Sequence, residues 1–563
     1  MTYMNNLKAF IIISCLLTWP AFVSAQHDAH RDAVREIASG QHGEALERIE
    51  NVSEDPGTLW RSLTNAYERA GQTLKNEGEE YRRYIIPENS FVMSMLYSIK
   101  GDTDYAMEQA RQAVESGLPF ERLLAGPRDA FSPLYKTDEF KKWADKESKV
   151  LIHGPMLGNV TSSSASFWVR TVHEADVEIQ VKPKRGIRRR VEASSARTLS
   201  ESDYTAVVRV DGLNPTTLYN YSLVIDGEII PFQGGSFTTY PKQGDPGRFR
   251  VAYGGGAGYV PEHERMWTTI KQRDPLAMLL LGDNVYIDDP EHAMTQYYCY
   301  YRRHSRPEWQ ELVADRGVYA IWDDHDFGLD DSHGGPEIDD PAWKPDVWKI
   351  FTQNWNNPYY GGGDEHHGVW FDFYIGDVHF IMLDGRYYRE SSGRRAPRVD
   401  NPSMLGPVQL AWLKETLKAS EGTFKMLVSP VPWAKGTKGE GSGSLDTWDG
   451  FDEERSLIYD FIHDNNISGA VMLSADRHRT DARRINRERG YDLYDFMSSV
   501  LTNYHTHPVV ETPGLLFGYN EKNSFGLLHF DTKLDDPKLT FEIVNIDNES
   551  IWSMDLRLSQ LKD

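Results

Sequence analysis

The stretch 317-GVYAIWDDHDFGLDD-331 runs from an apolar, β-prone segment straight into an acidic loop. Its first half reads as a short buried strand: a continuous apolar run opened by a glycine. Its second half gathers five aspartates, Asp323, Asp324, Asp326, Asp330 and Asp331, around the single His325. Like charges held this close repel one another, so their collection at one strand end points to a cation as counter-charge.

The same pattern recurs on either side. The runs 249-FRVAYGG-255, 277-AMLLLGD-283, 378-VHFIMLD-384, 424-FKMLVSP-430 and 469-GAVMLSAD-476 are strand-like, and most of them end in a carboxylate, a proline or a glycine. Amphipathic helical patterns, 407-PVQLAWLKETLKAS-420 and 453-EERSLIYDFIHDN-465, lie between them. The alternation predicts an α/β sheet. In such sheets ligands gather where strand C-termini open into loops, which gives these acids a functional location.

Upstream the character changes twice. From about 150 to 240, short alternating runs such as 163-SSASFWVRTV-172, 177-VEIQVKP-183, 205-TAVVRVDGL-213 and 218-LYNYSLVIDG-227 predict a β-sandwich. Leu213 followed by Leu218-Tyr219-Asn220-Tyr221 resembles the tyrosine corner of a fibronectin type III-like module. Residues 28–147 read as helical: 33-AVREIASGQHGEALERIEN-51 and 104-DYAMEQARQAVESG-117 place small and apolar residues at helical spacing. The second resembles one tetratricopeptide (TPR) hairpin, though no period near 34 residues is sustained. This segment reads either as a cap on the rest of the chain or as a protein-docking surface.

The first 25 residues read as a signal peptide, with Lys8, the apolar run 9-AFIIISCLLTWPAF-22 and a small-residue cleavage site ending at Ala25. A periplasmic or secreted protein is the expectation, with no transmembrane segment, since no run approaches the roughly 20 apolar residues a span needs. Cys15 and Cys299 are the only cysteines, and cleavage removes the first, so an internal disulfide and a zinc–thiolate cluster are both excluded. Any metal must be held by oxygen and nitrogen. The 563 residues, with 15 Trp, 29 Tyr and 23 Phe, suffice for several cored domains. An excess of 84 acidic over 61 basic residues, a formal charge of −23, argues against nucleic acid as a partner.

Four strand ends make up the candidate site. 282-GDNVYIDD-289 supplies Asp283 and Tyr286; 322-WDDHDFGLDD-331 supplies Asp324, His325, Asp326 and Asp330; 384-DGRYYRE-390 supplies Arg386 and Arg389; 474-SADRHRT-480 supplies Asp476 and His478. Carboxylates, a phenol and imidazoles suit hard or borderline cations, Ca²⁺, Mn²⁺, Zn²⁺ or Fe. The planar guanidinium forks suit phosphate oxygens. Each piece alone has a plain reading: Gly-Asp is a common turn, Tyr286 fits a core, and Arg394, Arg395 and Arg398 read as a solvated basic loop. His505 and His507, in 501-LTNYHTHP-508, read as bordering the site without an assigned role.

Taken in order, 282-GDNVY-286, 322-WDDHDFG-328, 382-MLDGRYYR-389, 405-LGPVQLAWL-413, 446-DTWDGF-451 and 473-LSADRH-478 resemble the PhoD-like metallophosphatases, the alkaline phosphatase D family, over about 245 to 563. The resemblance implies an α/β metallophosphoesterase-like sandwich domain preceded by the β-sandwich that family often carries, here the fibronectin III-like module; the helical segment before residue 148 lies outside the usual pattern, and the whole reads as a multidomain chain. The resemblance also implies two or more metal ions and hydrolysis of phosphate mono- or diesters. By position, Asp283 would be shared between metals. Tyr286, Asp324, Asp330, Asp476 and His478 would be further ligands. His325 would sit near the leaving group as acid or transition-state stabiliser with Asp326 orienting it, and Arg386 and Arg389 would hold substrate. One departure stands out: where the family often has a Ser-Cys ligand element, this chain reads 251-VAYGGGAGY-259. Its glycines allow close backbone approach, with amides that could face an anion. A sulfate-ester hydrolase on the same site, and a binding protein with weakened catalysis, are the alternative readings.

Overall fold

The computed structural model describes residues 28–54, 78–185, 192–439, 445–504 and 506–563. The expected signal segment and His505 lie outside them.

Two sheets form the α/β domain. One has six strands: Gly317–Ile321, Ala277–Leu281 and Arg248–Gly254 run parallel, then Ser524–Asp531, Lys538–Asn545 and Ser550–Arg557 continue antiparallel. The other has seven, with Val378–Met382, Phe424–Val428, Ala470–Ser474 and Leu493–Ser498 as its parallel centre. These central strands are mostly apolar because both faces are covered, with His379, Lys425 and Asp495 buried among the apolar positions. The period-two alternation of strand side chains decides which face each residue serves. Phe380, Met426, Val428 and Leu473 join the inter-sheet core. Ile381, Leu427 and Met472 face outward against Leu413, Leu417, Ile458 and Ile462 of helices Gly406–Ala419 and Asp452–Asp464.

Aromatic rings join the two sheets. Phe496 stacks on Phe541 at 4.4 Å, and Phe380 meets Phe530 edge-on at 6.0 Å. The Tyr253 hydroxyl donates to the Phe496 carbonyl at 2.8 Å. Parallel strands of both sheets therefore open their C-terminal ends at one edge, where Gly255 bridges to Ser499.

Upstream, Leu151–Gly158, Ser164–Thr171 and Thr205–Asp211 form one antiparallel sheet, and a second is built around Asp176–Pro183 and Leu218–Ile225. The two tyrosines of the expected corner divide the work. The Tyr219 hydroxyl accepts from the Asn214 amide at 2.8 Å, while Tyr221 donates to the Ala314 carbonyl at 2.8 Å and docks this sandwich on the α/β domain.

The helical spacing read over 33–51 is carried by two helices, Ala29–Ala38 and His42–Glu54, with Gly40 at φ +77° between them. Further on, Gly78–Ile99 and Thr103–Glu115 form an antiparallel pair. The segment packs on helix Ala293–His304 of the α/β domain, with Phe91 stacked on Tyr298 at 6.3 Å and Arg122 over the same ring. No helix of the described residues is long and apolar enough to cross a membrane.

Candidate metal centre

Loops leaving both sheets build the site, and close backbone approach sets their spacing. At Gly282, φ +98°, an added Cβ would lie 2.5 Å from the Asp323 Cβ, so glycine alone lets the first acidic loop lie on the second. The Asp326 carboxylate then gathers the first loop. It accepts from the Asn284 amide at 2.8 Å, the Val285 amide at 3.0 Å and the Asn284 side chain at 2.9 Å. The loop so held is strained: Asp283, Tyr286 and Asp288 have φ of +55°, +50° and +51°, and Asp476 and His478 across the site have +68° and +45°. Left-handed conformations at five non-glycine residues cost stability and mark a site that the surrounding fold over-determines.

Most of the sequence-predicted ligands lie near one another, Asp330 excepted. The Tyr286 hydroxyl donates to Asp283 Oδ2 at 3.1 Å and lies 3.1 Å from Nε2 of His478. Asp283, Asp324 and His325 each bring a ligand atom within 4.8 Å of the others. Asp476 sits where its charge acts on Asp323. Three buried carboxylate oxygens, Asp283 Oδ1, Asp323 Oδ2 and Asp476 Oδ2, have no hydrogen-bond partner among the described residues. Leaving such atoms buried and unpaired is costly. Burial pushes the Asp283 carboxyl well above its ordinary range, and the neighbouring Asp324, Asp323 and Asp326 charges add to this while His325 opposes it. An all-oxygen and nitrogen donor set with orphaned carboxylate oxygens fits hard or borderline cations, which Asp283, Tyr286, Asp324, Asp476 and His478 could hold.

Several sequence-based expectations change. Asp326 does not orient His325, because its oxygens are spent on the 284–285 backbone. The partner is Asp288, whose Oδ1 lies 2.5 Å from His325 Nδ1. Burial works against the imidazolium, but the Asp288, Asp324 and Asp283 carboxylates outweigh it and hold the His325 pKa well above its usual value. The ring also stacks on Tyr286 at 4.6 Å. Asp330 is not gathered into the cluster: its side chain is 51% exposed and pairs with Arg395, at 4.0 Å from His325 Nε2. The basic loop is not merely solvated, since Arg394 Nε also pairs with Asp331 at 2.5 Å.

Arg386 is not free to hold substrate. Fully buried, it donates from Nε to Asp323 at 2.5 Å, from Nη1 and Nη2 to Asp446 at 3.0 and 3.1 Å, and to the Ser332 carbonyl at 3.0 Å. Arg389 Nη2 is likewise spent on Asp446 at 2.9 Å, while its Nη1 has no partner among the described residues. Asp324, Asp331 and Asp446 form a second acidic trio within 4.8 Å. Arg386, Arg389, Arg394 and Lys438 already neutralise it.

The glycine run offers no anion nest. The Gly255, Gly256 and Ala257 amides donate to the carbonyls of Ser498, Gly282 and Asp283. A Cβ at Gly255 would lie 2.7 Å from the Ala475 Cβ, and one at Gly256 2.9 Å from Ser499 Oγ. The strand end has closed over the place where a longer side chain would stand.

Several contributors carry no local sequence signal. Asp288 is one more acid in an acidic loop. Arg31, from helix Ala29–Ala38, pairs with Asp288 Oδ2 and donates to the Tyr286 carbonyl at 3.1 Å, across 255 residues of chain. His507 stacks on His478 at 4.9 Å and lies 2.8 Å from Arg477 Nη2.

Residues 251–524 match the family model described as PhoD-like phosphatase, and residues 148–241 match a domain of unknown function, DUF7800. Alkaline phosphatase D of Bacillus subtilis (strain 168) is 30% identical over 118 residues, covering 19% of this chain and 20% of that protein. The chain thus spans about a fifth of that curated relative's length in the match. A solved structure of PhoD matches with a TM-score of 0.58 at 16% identity, covering 71% of this chain and 91% of that one. Purple acid phosphatase PPD1 from yellow lupin (Lupinus luteus) seeds matches with a TM-score of 0.52 at 11% identity, covering 73% and 74%. At these identities the structural likeness is one of fold.

Proposed function

We propose, from the premise that residues 251–524 belong to the PhoD-like phosphatases, that this chain is a metal-dependent phosphoester hydrolase. The observation that carries the reading is the set of buried, unpartnered oxygens of Asp283, Asp323 and Asp476 around the Tyr286–His478 contact. Two or more ions held by Asp283, Tyr286, Asp324, Asp476 and His478 would supply Lewis-acid chemistry, neutralising phosphoryl charge and making water nucleophilic near neutral pH.

The protein's own groups do the rest. Asp288 takes the Nδ1–H of His325, which leaves Nε2 to carry the proton toward the leaving-group oxygen. Arg386 holds Asp323 and Asp324 in place and does not touch substrate. Arg389 keeps one buried donor, Nη1, for a non-bridging oxygen. The upstream sandwich, read as fibronectin III-like, and the helical segment frame this edge. Export through residues 1–25, to the periplasm or outside the cell, belongs to the same reading.

Metal analysis of the purified chain, with hydrolysis of 4-nitrophenyl phosphate and bis(4-nitrophenyl) phosphate before and after chelation, tests it. Activity lost on chelation and restored by a divalent ion is expected. A chain that binds no metal and hydrolyses neither ester under added Ca²⁺, Mn²⁺, Zn²⁺ or Fe would overturn it.

A further inference from the structure

We infer that Arg31, in the helical segment outside the matched phosphatase domain, is a positioning residue for His325: it fixes the Asp288 carboxylate that holds the imidazole. The activity arm of this inference rests on the reading of His325 as leaving-group acid.

The two oxygens of Asp288 are spent in opposite directions. Oδ1 faces His325 Nδ1 at 2.5 Å, and Oδ2 pairs with Arg31 Nη1. Held at both ends, the carboxylate cannot turn about its own axis, so the imidazole keeps one orientation. The guanidinium is itself clamped. Its Nη1 also donates to the Tyr286 carbonyl at 3.1 Å, and its Nε and Nη2 contact Asp32 Oδ1 at 3.3 and 3.0 Å. Only 4% of the Arg31 side chain is exposed, so these contacts are made away from competing water.

The helix that carries Arg31 is placed by its cap. Asp28 accepts from the His30 and Arg31 amides at 3.2 and 3.1 Å, and its other oxygen pairs with Arg302 of helix Ala293–His304. Arg35, one turn on, reaches the Asp288 carbonyl at 3.4 Å. The loop gripped from outside is the strained one, with Tyr286 and Asp288 both left-handed. A loop that stores strain needs external partners to keep its shape, and the helical segment supplies them. The candidate site is therefore assembled from both ends of the chain.

The test uses the full chain with R31M, R31K, D288N and the double variant R31M/D288N. In metal-free protein carrying ¹⁵N-labelled histidine, the His325 Nδ1–H resonance is identified by its absence in H325Q. That resonance should move or vanish in R31M and persist in R31K. With metal restored, R31M should lower kcat for phenyl phosphate roughly 10- to 100-fold. The loss for 2,4-dinitrophenyl phosphate, whose leaving group needs no proton, should stay below about threefold. KM and metal content should hold. Within D288N, adding R31M should change kcat less than about twofold, because the two act in series. An unchanged resonance in R31M, equal losses on both esters, or additive effects would overturn the inference. Should R31M not fold, R31Q carries the same readouts. If the wild-type chain hydrolyses no ester, the proposed function fails, and the resonance alone still decides the role of Arg31.

Discussion

Arg386 and Asp446 face each other in a two-point pairing, Nη1 to Oδ1 at 3.0 Å and Nη2 to Oδ2 at 3.1 Å, with both side chains almost wholly buried. The remaining Nε goes to Asp323, so this guanidinium holds carboxylates from two loops together. R386M removes one counter-charge from Asp323, Asp324 and Asp446 at once, leaving Arg389 to Asp446. Breaking a buried pair in this way should cost about 3–5 kcal/mol. R386K keeps the charge but loses the planar fork, so it should fall between. Urea denaturation checks both variants; wild-type stability with a raised KM in R386M would return Arg386 to substrate binding.

In the proposed mechanism Asp283 binds metal and His325 transfers the proton, so variants at the two should separate these roles. D283N removes the carboxylate that Tyr286 touches and whose Oδ1 is unpartnered, so metal per chain and activity should fall together. H325A should keep its metal and lose turnover by roughly 10²- to 10⁴-fold, the usual range for a general acid. Elemental analysis beside kinetics on each variant distinguishes them. Metal lost from H325A would make His325, which lies within 4.8 Å of Asp283 and Asp324, a ligand instead.

Much of this architecture was legible because strand chemistry is local. The run 277–283 is apolar at every strand position and ends in Gly-Asp, so both its burial and its loop could be read directly. The same holds for Asp476 and His478 after Ala470–Ser474. Partner choice was not legible. Asp326 and Asp288 are equally acidic in sequence, and only the backbone path decides that one binds amides and the other an imidazole. Arg386 looked like a phosphate fork because nothing near it in sequence revealed Asp446, 60 residues on. Arg31 lies 257 residues from Asp288 and carries no motif at all.

The closed glycine run predicts that a cysteine cannot be restored by substitution alone. At Gly255 a new Cβ would stand 2.7 Å from the Ala475 Cβ and 3.1 Å from the Gly282 carbonyl, beside the loop that bears Asp476. G255A and G255C should each cost about 1–3 kcal/mol by overpacking. G255C should gain no metal. Thermal melting and iron content check this, and extra iron at wild-type stability would mean that the strand end still has room.

Asp288 gives the site a definite acid response. Burial alone would raise its pKa, but His325 and Arg31 outweigh this and pull it down from 3.8 to about 2. A folded pKa below the unfolded one means that the unfolded chain binds more protons in that window. The stabilisation is therefore complete above the unfolded value of 3.8 and is lost as pH falls toward about 2. A shift of this size corresponds to about 2 kcal/mol. D288N removes it, so at neutral pH the variant should be less stable than wild type by about that amount. The gap should narrow as pH falls from about 4 to 3, where this carboxylate protonates in the unfolded wild-type chain while the folded one stays ionised. Urea midpoints of both proteins across this range measure it. A gap that stays constant with pH would mean that Asp288 stabilises by shape alone and that its charge, with its pairing to His325 and Arg31, contributes nothing to folding.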